Sequence, residues 1–179
     1  MRITGGTLGG RKVDVPHGAD EIRPSMDRMR ESVFACLGDI TGFSFLDIFT
    51  GSGIIALEAA SRGAAIIEAV EQDKLKRNIL LNNVSISPTR INCRFMPAEL
   101  YVKRSKSSFD IIFLDPPFPY HFKWELVAKI ASSPLVKTKS RILIHRPRQD
   151  CLKEQIPGLI KTDSREYGRS VVDFFTCSF

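Results

Sequence analysis

The chain has 179 residues, 43% of them hydrophobic and 26% charged, which allows one compact core and excludes both wholesale disorder and two ordinary domains. Lysine and arginine outnumber the acids 26 to 20, so the net charge of +6 and pI ≈ 9.3 favour a polyanionic partner without requiring one. No stretch approaches the roughly 18 apolar residues of a membrane span, Met1 to Gly6 lacks a secretory core, and Cys36, Cys93, Cys151 and Cys177 are scattered without metal-ligand spacing, so a cytoplasmic protein with no membrane partner and no metal is expected.

In chain order, Gly5-Gly6 and Gly9-Gly10 punctuate a small hairpin between Arg2-Ile3-Thr4 and Arg11 to Val15. Ser25 is placed to cap a helix through Val33, Phe34 and Leu37, with Gly38 as its stop. Arg28 and Arg30 on that helix either pair locally with Asp27 and Glu31 or hold phosphate. From Phe43 the pattern alternates: strands at 43–49, 65–70, 90–96 and 109–114, helices at 53–61, 74–83 and 98–104. That alternation predicts a doubly wound α/β sheet with parallel strands and right-handed crossovers. A helix over 122–130 and a strand over 141–145 follow. Leu159 to Arg165 and Val171 to Cys177 are then joined through Tyr167-Gly168 with no room for a helix, which makes them an antiparallel hairpin. With no repeat or linker, residues 1–179 are expected to form a single domain, 1–40 being a hairpin and helix ahead of a core at 41–179.

The first of these strands runs through Asp47-Ile48-Phe49-Thr50-Gly51-Ser52-Gly53 directly into a helix. Glycines there admit a ligand close to the backbone, and the helix start offers free amides. The dinucleotide fingerprint is absent, since Ala56 stands three residues after Gly53, and Asp47 would repel a pyrophosphate while attracting an ammonium. S-adenosylmethionine therefore suits the loop better than a nicotinamide dinucleotide. Glu71, ending the next strand, can accept ribose hydroxyls.

The strand Phe109 to Leu114 stops at Asp115-Pro116-Pro117-Phe118. Two prolines remove two amide donors, leaving carbonyls able to accept from something other than the sheet. An acid, free carbonyls and an aromatic ring on one strand tip suit a flat group with two N–H bonds.

Together, Asp-x-Phe-x-Gly-Ser-Gly at 47–53, Val70-Glu71 and Asp-Pro-Pro-Phe at 115–118 resemble a Rossmann-like class I S-adenosylmethionine-dependent methyltransferase. Met1-Arg2-Ile3-Thr4-Gly5-Gly6, the segment from Arg23 to Glu31 and Arg165-Glu166-Tyr167-Gly168 narrow the resemblance to the bacterial RsmD family. It implies a seven-stranded, mostly parallel sheet closed by the hairpin, and methylation of a guanine N2 in 16S ribosomal RNA. It also implies a catalytic set of Asp115, Pro116, Pro117 and Phe118, with the cofactor on Asp47, Phe49, Gly51, Gly53, Glu71, Ala98 and Asp115. Two positions depart from the pattern. Met96-Pro97-Ala98-Glu99 stands where relatives carry an acid toward the adenine, leaving the Ala98 amide or Glu99 for that contact, and Phe118 replaces the commoner Tyr.

An RNA strand is expected along Arg2, Arg11, Lys12, Arg23, Arg28, Arg30 and Arg146, with Lys123 and Arg148 near the same rim. The partner would be 16S ribosomal RNA or an assembling small subunit, met by a monomer. His17, His121 and His145 are not spaced as a catalytic set and are read as surface or packing residues, although His121 follows the loop closely enough to line a base pocket. Trp124 and the Phe122 neighbourhood read as helix packing. The residues alone leave two other classes open: transfer to adenine N6 or a glutamine amide, which use the same acceptor geometry, and a noncatalytic RNA-binding assembly module. The lack of a large insert weighs against site-specific DNA reading, and the intact loops against a decayed site.

Overall fold

The computed structural model describes residues 1–15, 24–150 and 155–178. Seven strands, β1 (Ser44–Ile48), β2 (Ile66–Glu71), β3 (Ile91–Phe95), β4 (Phe109–Leu114), β5 (Val136–Pro147), β6 (Leu159–Tyr167) and β7 (Ser170–Cys177), form one sheet ordered β3-β2-β1-β4-β5-β7-β6. The first five are parallel, and β7 is antiparallel to both β5 and β6, as the alternation and the terminal hairpin require. The chain travels outward from β1 through β2 to β3, then crosses back to β4 on the other side of β1. The β1/β4 junction is therefore the switch point, where an open α/β sheet has its crevice.

The central strands are buried on both faces, which explains why they are mostly apolar. Phe45, Ile67, Ile111, Phe113 and Leu143 point to one core, while Leu46, Ile48, Ile112, Leu114 and Ile142 point to the other. Helices α1 (Pro24–Leu37) and α2 (Ile54–Ser61) and Val84 of α3 (Arg77–Val84) cover the first, and α4 (Ala98–Arg104) and α5 (Lys123–Ala131) the second. Met29, Val33 and Leu37, four residues apart, form the buried stripe of α1. That helix starts at Pro24, one residue before the expected Ser25 cap, because proline lacks only a donor that the first turn cannot use. Gly38 then takes φ +71° and donates to the Phe34 carbonyl, ending it.

Residues 1–15 make an antiparallel bridge between Arg2 and Lys12 around a 3₁₀ turn at Gly6–Leu8, a shorter pairing than a full hairpin. This segment lies on α2, all eight of whose residues are buried. At Gly6 (φ +73°) a Cβ would fall 1.9 Å from the Ser61 carbonyl oxygen, so only glycine permits the approach. The Thr4 amide donates to Glu58 at 2.6 Å, and Glu58, fully buried, also faces Arg30 at 3.5 Å and Arg62 at 3.3 Å. The segment thus clamps the helix that begins at the glycine loop.

Candidate active site

The loop after β1 is held from beneath and from the side. Asp47 is fully buried, and its Oδ2 accepts from the Thr50 hydroxyl and from the Ala56 amide at 3.1 Å. Its Oδ1 has no partner among the described residues. Burial pushes the carboxyl up to about 7; the Thr50 and Ala56 hydrogen bonds oppose the rise and the charges of Asp115 and Glu71 add to it. A buried acceptor with one oxygen unused fits a ligand that brings a cation to the loop.

Glu71 fastens the same loop from β2, accepting the Gly51 amide at 3.0 Å and the Asp73 amide at 2.8 Å. Gly51 (φ +56°) and Gly53 (φ +82°) take the left-handed turn, and a Cβ on Gly53 would stand 2.7 Å from Leu80 of α3. Phe49 also has positive φ, at 65°, a conformation that non-glycine residues adopt mainly where the surroundings enforce it. Its ring meets Tyr120 at 5.2 Å, and the Tyr120 hydroxyl donates to Glu99.

Beside this loop, beyond the carboxyl ends of the strands, lies a cavity of about 1040 Å³, which Phe49 and Glu71 line and Asp47, Gly51 and Gly53 do not. Phe49 lines it from β1, Glu71, Gln72, Asp73 and Lys76 from the end of β2 onward, Asp115 to Phe118 from β4, His145 from β5, and Tyr167 to Ser170 from the tip of the β6–β7 hairpin. Asp115 is anchored by its amide to the Ile48 carbonyl at 3.1 Å, which brings the two loops side by side. The Pro116 carbonyl accepts no hydrogen bond among the described residues, whereas the Pro117 carbonyl takes the Tyr120 amide at 2.8 Å and so is not free as expected. Phe118 is 51% exposed and lines the cavity.

His145, read from sequence as a surface or packing residue, is buried and also part of this wall: its Nδ1 lies 2.8 Å from Asp115 Oδ1, and the Phe118 ring stands edge-on at 6.1 Å. Burial disfavours the imidazolium, but the Asp115 charge and hydrogen bond outweigh it and raise the His145 pKa above its ordinary value. The hairpin through Tyr167-Gly168 is expected from sequence but its place at the cavity is not; the Tyr167 hydroxyl ties the tip to Ser32 of α1 at 2.6 Å. Arg169 beside it is exposed and lines the cavity.

Other expectations need correcting. Arg30 is 1% exposed and committed to Asp27, Glu58 and the Arg2 carbonyl, so it cannot reach an RNA strand. Arg146, 4% exposed, is bound to Asp173 at 2.6 Å, and Lys123 to Asp150 at 2.6 Å. Arg148 pairs with Glu166 at 2.9 Å while staying exposed. Arg2, Arg11, Lys12 and Arg28 are exposed, as a phosphate contact demands; Arg23, His17 and Cys151 lie outside the described residues. Ala98 is buried at the start of α4 and, like His121, does not line the cavity. Trp124 packs against Phe175 as expected, but Phe122 is 64% exposed.

The family model described as conserved hypothetical protein 95 matches residues 1–176. Ribosomal RNA small subunit methyltransferase D of Escherichia coli K12 is 36% identical over 121 residues, 66% of this chain and 60% of that protein. The chain thus spans about three-fifths of the length of that relative. The protein of the same name from Buchnera aphidicola (Acyrthosiphon pisum) is 30% identical over 158 residues, 84% of this chain and 80% of that one. Among solved structures, yhhF of Escherichia coli, described as a candidate methyltransferase, superposes with a TM-score of 0.88 at 26% identity, covering 99% of this chain and 97% of its own.

Proposed function

We propose, because the chain belongs to the conserved hypothetical protein 95 family, that of the RsmD small-subunit ribosomal RNA methyltransferases, that it methylates the exocyclic N2 of a guanine in 16S ribosomal RNA. The observation that carries the reading is the meeting of two adjacent loops at one cavity: the turn after β1, which contributes Phe49, and Asp115 to Phe118 after β4, joined by the Asp115 amide on the Ile48 carbonyl.

S-adenosylmethionine, when bound, supplies an electrophilic methyl on its sulfonium. Of the residues suited to hold it, Glu71 for the ribose and Phe49 as an apolar wall line the cavity, while Gly51 and Gly53, for close backbone approach, and the unused Asp47 Oδ1, for a cation, belong to the adjoining loop. From the end of β4, the Asp115 carboxylate and the Pro116 carbonyl accept the two N–H bonds of an amine. A guanine amine is a weak nucleophile because its lone pair is delocalised into the ring, and two acceptors favour the geometry that exposes it. Positive charge develops on that nitrogen during transfer, so fixed acceptors stabilise the transition state more than the ground state. Phe118 stacks on the base and holds it in line.

A base inside a duplex cannot reach this wall, so the target is unpaired or flipped. Arg2, Arg11, Lys12 and Arg28, joined by Arg169 at the mouth, hold the flanking phosphates. We further read the protein as a cytoplasmic monomer that acts on 16S ribosomal RNA or on an assembling subunit.

Tritium transfer from labelled cofactor to unmodified small subunits, followed by nucleoside analysis, tests this. N2-methylguanosine is the expected product. Label in adenine N6, in DNA or in a protein glutamine would overturn the substrate, and no transfer at all would overturn the enzyme.

A further inference from the structure

We propose that His145 is the positioning residue of Asp115: its Nδ1–H holds one carboxylate oxygen, which leaves the other, Oδ2, as the oxygen that meets the substrate amine. This rests on the reading that Asp115 accepts an amine N–H bond.

The pairing follows from the sheet itself. Leu114 of β4 is in register with Ile144 of β5, so the next residue up each strand, Asp115 and His145, stand side by side at the carboxyl edge. The imidazole is on the more rigid of the two: His145 lies inside β5, paired on its far side with Val172 of β7, and is buried. Asp115 begins a loop and is part-exposed. Its carboxylate makes no other hydrogen bond among the described residues, so the 2.8 Å contact to His145 Nδ1 is what orients it. An ionised carboxylate only accepts, so Nδ1 carries the proton, in the neutral ring and in the imidazolium alike. Phe118 closes the other side of the ring, edge-on at 6.1 Å. One imidazole therefore contacts both members of the amine site that have side chains able to move, the acceptor and the stacking ring.

Holding the carboxylate matters because the amine is planar only in the ground state. As nitrogen becomes tetrahedral, an acceptor free to rotate would follow the ground-state geometry and lose the difference that speeds transfer. Positioning should thus appear in kcat rather than in cofactor binding.

The test compares the wild type with His145→Ala and His145→Asn. The asparagine amide can donate from near the Nδ1 position, without a titrating ring. His145→Ala is expected to lower kcat for methyl transfer to small subunits about tenfold or more, with the Kd for S-adenosylhomocysteine within about twofold of the wild type. His145→Asn should recover most of the lost kcat. A folded His145→Asn as slow as His145→Ala, or a His145→Ala as fast as the wild type, overturns the proposal. Should His145→Ala fail to bind S-adenosylhomocysteine, His145→Asn and the wild-type imidazole decide: ¹⁵N spectra are expected to show Nδ1–H at neutral pH, lost from that site in Asp115→Ala, and an Nε2–H tautomer overturns the pairing. A wild type that transfers no label to RNA overturns the substrate reading instead, while the tautomer still reports on the pair.

Discussion

The Gly51 amide donates to Glu71 Oε2 at 3.0 Å, so the last residue of β2 holds the turn that follows β1. The Asp73 amide occupies Oε1 at 2.8 Å, and Lys76 lies 3.7 Å from Oε2. Each oxygen keeps a second lone pair for a ribose hydroxyl. Glu71 therefore both shapes the loop and lines the cavity.

Glu71→Ala is expected to weaken S-adenosylhomocysteine binding by roughly 2–3 kcal/mol, the scale of hydrogen bonds to a charged group. Glu71→Gln, which keeps one acceptor but turns an NH₂ toward the other amide, should fall between it and the wild type. Isothermal titration of the three proteins gives the order directly. Equal affinity in all three would remove the ribose role.

Asp47 sets function against stability. Its pKa is about 7 in the folded protein, against ~3.9 for an unfolded aspartate, because burial disfavours the carboxylate. Between those values the native state keeps a proton that the unfolded state has lost, so folding stability falls as pH rises from about 4 to 7 and stays low above it. Asp47→Asn can still accept from Thr50 and Ala56 and should be more stable than the wild type at pH 8, on the order of 1–4 kcal/mol, with the advantage vanishing by about pH 4. The same change should weaken the cofactor. In the wild type, affinity should rise between about pH 6 and 8 as Asp47 ionises. Urea melts and titrations across that range would show both effects, and a variant no more stable at pH 8 than the wild type would refute the first.

Arg146 illustrates a basic residue whose work is internal. It meets fully buried Asp173 at 2.6 Å, and Lys161 and Ser164 complete the acid's shell at 2.7 Å and 2.6 Å. Burial would raise the Asp173 pKa, yet these donors hold it below the usual carboxylate range. The stability it confers is present above the unfolded-state pKa and is lost as pH falls through the lower, folded-state one. Arg146→Met should therefore cost about 3 kcal/mol near neutral pH, the penalty of stripping one partner from a buried charge. RNA affinity of the folded variant should keep the wild-type salt slope. A flattened slope with unchanged stability would return Arg146 to the RNA surface.

How much of this was legible in sequence depended on whether the signal was local. The glycine turn at 47–53 and Asp115 to Phe118 are contiguous, and their chemistry is written in adjacent residues. The sequence pattern marks β1 to β4 to within a residue or two, most clearly in β4, where Ile111 to Leu114 is apolar and buried throughout, whereas β3 is a half-buried edge strand carrying Asn92 and Arg94. The first half of β5 was missed: Lys137, Thr138 and Lys139 are exposed and polar, Lys139 sits at φ 65°, and Ser140 is bonded to the Phe109 carbonyl, so no alternation announces a strand. His145 and Arg146 were misread for a different reason. Their partners lie 30 and 27 residues away and meet them only through strand pairing. A charged residue in isolation reads as exposed, and only an acid brought beside it by the fold says otherwise.

Arg169 is a cation that the fold adds to the proposed RNA surface. It lines the cavity from the hairpin tip, is exposed, and forms no salt bridge among the described residues. Its main chain is fixed, since the Arg169 carbonyl accepts the Arg148 amide at 2.9 Å and neighbouring Tyr167 is tied to α1. A cation on a braced backbone beside the base pocket is well placed for the phosphate next to a flipped nucleotide. Neutralising one phosphate releases condensed counterion, so losing that contact should lower the slope of log K against log salt by roughly 1. Arg169→Ala is thus expected to weaken RNA binding several-fold at low salt, with the difference narrowing as salt rises and cofactor affinity unchanged. Arg11→Ala should behave in the same manner. Filter binding of a 16S fragment across a salt series distinguishes the outcomes: a loss of equal size at every salt concentration would mean that Arg169 shapes the hairpin tip and makes no phosphate contact.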